Sequence, residues 1–140
     1  MDDIEPSVQR VEIDLFYLPP KPTADKLVNS YMKTVQPLFS IFSEAELLEN
    51  FEAVYDAYEG PKAPVNWLIV LNLVFAIGRT YHTLLADGKI LDTETHDRYF
   101  SRARLLGALD GSVWTMADLR QVQTLALAGM YMLASHRTNR

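Results

Sequence analysis

Trp67-Leu68-Ile69-Val70-Leu71-Asn72-Leu73-Val74-Phe75-Ala76-Ile77 is the stretch whose reading decides the fold. Asn72 is its single polar residue, so no face of it is suited to water. The spacing predicts a helix from about Pro64 to Leu85, and a helix apolar all round must be covered on most of its circumference. The run is near half the ~20 residues that a membrane span needs, so it reads as a helix buried in protein.

The neighbours that could cover it follow from the sequence on either side. Upstream, Ser43-Glu44-Ala45-Glu46 is a capping box, serine at N-cap and glutamate at N3. Leu47, Leu48, Phe51, Val54, Tyr55 and Tyr58 continue at helical spacing, with Glu49, Glu52, Asp56 and Glu59 on the opposite side, until Gly60-Pro61 ends the element. Further upstream, Ala24, Leu27, Val28, Tyr31 and Val35 form the stripe of another helix, with Thr23 as its expected N-cap and Pro37 as its stop. Residues 1–22 precede it as an extended, acidic and proline-rich arm. There Val11, Ile13, Leu15 and Tyr17 alternate with Glu12, Asp14 and Phe16, and Pro19, Pro20 and Pro22 hold polyproline-like backbone. No second strand is evident, so the arm is expected to dock on helices.

Downstream, Asp87-Gly88-Lys89 is a turn. A fourth helix is expected over about Thr93 to Leu109, with Tyr99, Phe100, Ala103 and Leu106 inward and Arg98, Arg102 and Arg104 on its flank. Asp110-Gly111-Ser112 breaks it. A fifth begins at Thr115, with Asp118 at N3, and runs toward Ser135; from Leu125 to Ala134 it is apolar on every side. The fold class is therefore all-α: an irregular array of about five helices, spanning residues 23–140, behind the arm. The third and fifth helices both require cover all round, and three amphipathic helices and an arm are too few. The array reads as the first part of a larger helical domain, incomplete at its C-terminal end and completed by further helices or by a partner chain.

Composition narrows the function. The 140 residues suit one domain, and 49% apolar residues suffice for a core. The absence of cysteine removes disulfides, thiolate zinc sites, iron–sulfur clusters and cysteine nucleophiles. The start, Met1-Asp2-Asp3-Ile4-Glu5-Pro6, lacks the basic and apolar regions of a secretory signal. Net charge is −5, split as −8 over residues 1–60 and +3 over residues 61–140. The two parts attract one another, or the acidic part faces a basic partner. With no basic run, direct grip on nucleic-acid phosphates is disfavoured.

Candidate chemistry is sparse. His82, His96 and His136 stand far apart without i+3 or i+4 partners, and the acids at Asp2, Asp3 and Glu5 lie at a terminus, so no metal is expected. The six glycines form no phosphate-binding pattern, and no serine occupies a nucleophile elbow. The expectation is a non-enzyme with no cofactor. Asn72 and Arg79 share one face of the third helix. They could point polar groups into an aromatic pocket with Trp67 and Phe75, as an effector site would need. Alternatively Asn72 ties down a neighbouring loop and Arg79 marks where the helix leaves the core, the commoner use of buried polar groups. Glu49, Glu52, Asp56 and Glu59 form a candidate interaction face for a basic partner or for the arginines of the fourth helix. Arg98, Arg102 and Arg104 could hold an anion, but pairing with the chain's own acids fits the charge split better. A tetratricopeptide scaffold would show a repeat near 34 residues, and none is present. A helical scaffold for protein partners and a small-molecule-binding helical domain are the competing classes.

Five stretches resemble one family. Leu18-Pro19-Pro20 with Ala24-Asp25-Lys26-Leu27-Val28 and Tyr31 is similar to the opening of the fungal transcription factor regulatory domain, also called the middle homology region. Val35-Gln36-Pro37-Leu38-Phe39 resembles its next loop, and Trp67 to Tyr81, with Asn72-Leu73-Val74-Phe75-Ala76-Ile77-Gly78 at its heart, its long buried helix. Tyr99-Phe100-Ser101-Arg102-Ala103-Arg104 and Val122-Gln123-Thr124-Leu125 through Tyr131-Met132-Leu133 resemble the two helices that follow. The matches stand in the family's order and cover about residues 15–137. The resemblance implies an all-α, non-catalytic regulatory region of a zinc-cluster transcription factor, acting in the nucleus. It implies zinc and DNA contacts only in a separate six-cysteine module, which this cysteine-free sequence does not contain. Expected partners are the remainder of the regulatory domain or another protein chain, with a small-molecule effector compatible and no membrane.

Overall fold

A computed structural model describes residues 14–56, 65–85, 94–109 and 119–138. Within them the chain is all-α, with no strand: α1 Lys21–Thr34, α2 Glu44–Asp56, α3 Val65–Leu85, α4 His96–Leu109 and α5 Leu119–Thr138. The turns expected at Gly60-Pro61, Asp87-Gly88-Lys89 and Asp110-Gly111-Ser112, the cap at Thr115 and Asp118, the residues Tyr58 and Glu59, and the arm before Asp14 lie outside the described residues.

α3 is the axis of the packing, and α1, α4 and α5 all lie against it. Every residue from Trp67 to Gly78 is buried, Asn72 included, which is the all-round cover that the apolar run demands. An aromatic series ties three helices together across this axis. Tyr55 meets Phe51 on α2 at 5.3 Å between ring centroids, Phe51 meets Phe75 on α3 at 6.4 Å, and Phe75 meets Tyr99 on α4 at 5.5 Å. All three contacts are edge-on, the arrangement that the ring quadrupole favours.

The α1–α3 contact is set by Gly78. A Cβ at that position would fall on the carbonyl oxygen of Leu27, so only glycine lets the two backbones approach this closely. α1 starts earlier than the spacing suggests. Pro20, not Thr23, is its N-cap residue (φ −55°, ψ 146°), and Pro22 sits in the first turn, where its missing N–H is no loss. Thr23 is buried inside that turn. The Ser43 cap is as read: its Oγ accepts the Glu46 N–H at 3.0 Å, and its carbonyl accepts the Leu47 N–H at 3.0 Å.

Residues 14–20 of the arm dock on the helices. They do so through a turn rather than fully extended backbone, the Tyr17 N–H reaching Asp14 O at 3.2 Å. The Tyr55 hydroxyl holds the far end by donating to Pro19 O at 2.6 Å.

Gly78 and Gly129 make opposite predictions. Gly78→Ala is expected to destabilise by about 1–3 kcal/mol through overpacking against α1. Gly129, with open space around its Cβ position on α5, should stabilise by roughly 0.5–1 kcal/mol when replaced by alanine. Urea unfolding of the two variants checks both signs, and equal effects would refute the α1–α3 contact.

Candidate functional site

The polar centre of the molecule is Arg102. Sequence spacing assigned it to the flank of α4, yet it is 1% exposed and ranks among the largest fully buried side chains. The correction has a simple cause. Arg102 follows Tyr99 by three residues and precedes Leu106 by four, so it lies on the face that those residues turn inward. Its guanidinium finds partners in three separate segments. Nε donates to Asp14 O at 3.0 Å, Nη1 to Asn72 Oδ1 at 3.3 Å and Nη2 to Glu94 Oε2 at 3.0 Å. The Tyr17 and Tyr99 rings cover the group, with centroids 4.9 and 5.6 Å away. A planar, five-donor fork suits this arrangement as a lysine could not.

The four residues singled out on α3 are placed as follows. Trp67 packs on Phe42 at 5.6 Å, and Phe75 sits between Phe51 and Tyr99. Asn72 donates to Leu68 O at 2.9 Å while accepting from Arg102, so it anchors a helix rather than a loop. Arg79 donates through Nε to Glu94 O at 3.3 Å, fixing the entry to α4. Arg98 and Arg102 share the Glu94 carboxylate, and Arg104 lies over the Phe100 ring at 5.9 Å. Two of the three α4 arginines, Arg98 and Arg102, therefore meet an acid of their own half of the chain. Glu49, Glu52 and Asp56 are exposed on α2 as expected, and Glu52 pairs with Lys21 on α1 at 3.1 Å.

A second polar cluster fastens α5 to α4. The Tyr131 hydroxyl donates to Asp97 Oδ1 at 2.9 Å and lies 2.8 Å from His96 Nδ1, with its ring stacked on Phe100 at 4.4 Å. Among the described residues no group of three histidines and acids converges as a metal site, and no helix is long and apolar enough to cross a membrane.

An exposed apolar surface lies on α5. Its inward edge is Gln123, Thr124, Leu127, Tyr131 and Ala134. On the opposite edge Val122, Leu125, Met132 and Leu133 are between 54% and 62% exposed, and Ala126 and Gly129 between them are exposed as well. The i, i+3, i+4 and i+7 spacing makes this one continuous apolar stripe. Gln123 also donates to Ile41 O at 3.0 Å, tying α5 to the α1–α2 connection, where Leu38 and Phe39 are likewise exposed.

The described residues thus form an all-α array with a buried arginine hub and an outward apolar edge on α5. Comparison with curated proteins shows what such a chain is similar to. The chain is 30% identical over 129 residues, 91% of its length, to the transcription regulator galc of Aspergillus niger. It is 32% identical over 127 residues, 87% of its length, to the sorbicillinoid biosynthetic cluster transcription factor 2 of Penicillium rubens. The sorbicillinoid biosynthetic cluster transcription factor sor3 of Hypocrea jecorina matches at 28% over 142 residues, 98% of the chain. All three are named as fungal transcription regulators or factors, in agreement with the resemblance carried by the five motifs. The chain spans 15%, 17% and 20% of the lengths of these relatives. No family profile matches it, and no solved structure does.

Two predictions follow from the polar groups. Arg102→Met should destabilise by about 3–5 kcal/mol, because it leaves the buried Asn72 Oδ1 without its donor and takes from Glu94 one of the two arginines that share its carboxylate. Arg102→Lys should rescue less than half of that loss, and denaturant unfolding reads both; full rescue by lysine would refute the fork. Burial pushes the Tyr31 phenol up to about 12, and burial with the Asp97 carboxylate raises that of Tyr131 as well. Both protons are held more tightly in the folded chain. Their stabilising effect is fully present below pH 10 and is lost as pH rises through 10 toward 12. The Tyr31 hydroxyl is buried without a hydrogen-bond partner. Tyr31→Phe should therefore be neutral or stabilising by up to about 1 kcal/mol at pH 7 and should soften the alkaline loss. A marked loss at pH 7 would show that the hydroxyl is satisfied.

Proposed function

We propose that this chain is part of the regulatory, non-catalytic region of a fungal zinc-cluster transcription factor and acts in the nucleus in control of transcription. The reading is supported by the named relatives and by the order of the five motifs. DNA is contacted by a separate cysteine-bearing module, for which this sequence supplies no ligands.

The observation that carries the mechanism is the outward stripe of α5, Val122, Leu125, Met132 and Leu133. A stripe of this length left in water is unfavourable by about 25 cal/mol per Å2 of apolar area, so it has a counterpart. In a factor several times the length of this chain, as the relatives are, that counterpart is the remainder of the same regulatory region. The region then has two arrangements, α5 covered and α5 released. A signal that binds one of them better shifts their populations and thereby the output of the factor.

The test replaces Leu125, Met132 and Leu133 together by glutamine. The 140-residue chain is expected to bind less of a hydrophobic dye and to self-associate less, with its helix content unchanged. The same triple change in the full-length factor should alter reporter transcription. Unchanged dye binding together with unchanged reporter output would refute the packing role of α5.

A further inference from the structure

α1 and α2 enclose a groove of about 250 Å3 on a part of the surface that the α5 reading does not use. Lys21 at the start of α1 bonds Glu52 near the end of α2, which brings those two ends together. The floor is apolar: Val28 and Met32 from α1, Leu48 and Phe51 from α2. The rim is acidic, with Asp25 and Glu52 toward one end and Glu44 toward the other, and Asn29 stands beside them. Of the face read on α2, Glu52 lines this groove, whereas Asp25 and Glu44 come from outside that face.

The chain itself shows what the rim accepts. The Lys21 ammonium lies 3.3 Å from Asp25 and 3.1 Å from Glu52, over the Phe51 ring at 5.2 Å and the Tyr55 ring at 5.9 Å. Its proton is held more firmly than that of a free lysine, chiefly by the hydrogen bond to Glu52. An alkyl stem on apolar or aromatic surface with its cation against carboxylates is the geometry of a snorkelling basic side chain. The remaining groove repeats those ingredients, Met32 and Leu48 for the stem and Glu44 for the cation. From Asp25 to Met32 it follows α1 for about 10 Å at a rise of ~1.5 Å per residue, two turns of helix.

We propose that the α1–α2 groove docks a basic amphipathic helix of a partner protein, its apolar edge on Val28, Met32 and Leu48 and its lysines or arginines on the acidic rim. The net charge of −8 over residues 1–60 adds long-range attraction for such a partner and sets a salt-dependent rate of encounter.

The test uses the full chain and a fluorescent helical peptide of leucine and lysine, about 18 residues long, with its apolar residues on one face. Two controls accompany it: the same composition scrambled to destroy the apolar face, and the same pattern with glutamate for lysine. The patterned lysine peptide is expected to bind saturably and the controls weakly. Glu44→Gln with Asn29→Arg, both at exposed positions, should weaken binding about tenfold, whereas Glu49→Lys, an equal change of charge outside the groove, should change it by less than about twofold. Circular dichroism confirms that the variants keep their helix content. Equal binding of the scrambled peptide, equal loss at Glu49, or no binding overturns the proposal. The α5 triple glutamine variant separates the two readings: unchanged peptide affinity places the peptide in the groove, and its loss places the peptide on α5 and overturns the groove.

Discussion

A buried guanidinium has to be satisfied on every side or the fold does not form, and Arg102 imposes that constraint on this chain. Its partners are a backbone carbonyl of the arm, an amide on α3 and a carboxylate at the entry to α4. The side chain therefore positions the arm, α3 and α4 relative to one another. Desolvating a charge is expensive, and the compensation is directional, so the arrangement selects one packing among those that the apolar surfaces alone would tolerate. Asn72 becomes intelligible in the same terms. The one polar residue of an otherwise apolar helix is there to receive the arginine, with its amide nitrogen occupied by Leu68 O.

Periodicity carried the architecture well. The helix spacing, the Ser43 cap and the all-round burial of Trp67 to Gly78 are local properties, visible to anyone who counts residues. The hub was not legible in that way. Arg102 has the right spacing for an inward position, but a charged residue on a helix is by default assigned to water, and its partners lie 88, 30 and 8 residues away. The start of α1 was misplaced because Thr23 is a better side-chain cap than Pro20. What decided it was the fixed φ of the prolines, not a cap hydrogen bond. The acidic residues of α2 were found as a face, while their relation to α1 depends on the helix-to-helix geometry that spacing does not report.

α5 shows a different limit. Its sequence asks for cover all round, and within the described residues it receives cover on one side only. The inward edge is specific, with Tyr131 bonded to Asp97 and Gln123 to the α1–α2 connection. The outer edge is apolar without polar anchors, which suits a contact made and released more readily than one locked by hydrogen bonds. α3, against which the inward edge packs, is in turn so close to α1 at Gly78 that no side chain fits between the two backbones.

The reach of Arg102 also orders events in time. Asp14 and Arg102 are separated by 88 residues of sequence. During synthesis at ~5–20 residues per second the arm leaves the ribosome on the order of 4–18 s before the side chain that holds it. Closing so long a loop is entropically unfavourable until α3 and α4 have paired and fixed the guanidinium in place. Docking of the arm is consequently a late step in folding, and until it occurs the Arg102 Nε lacks its Asp14 acceptor, so the hub is completed only when the arm closes.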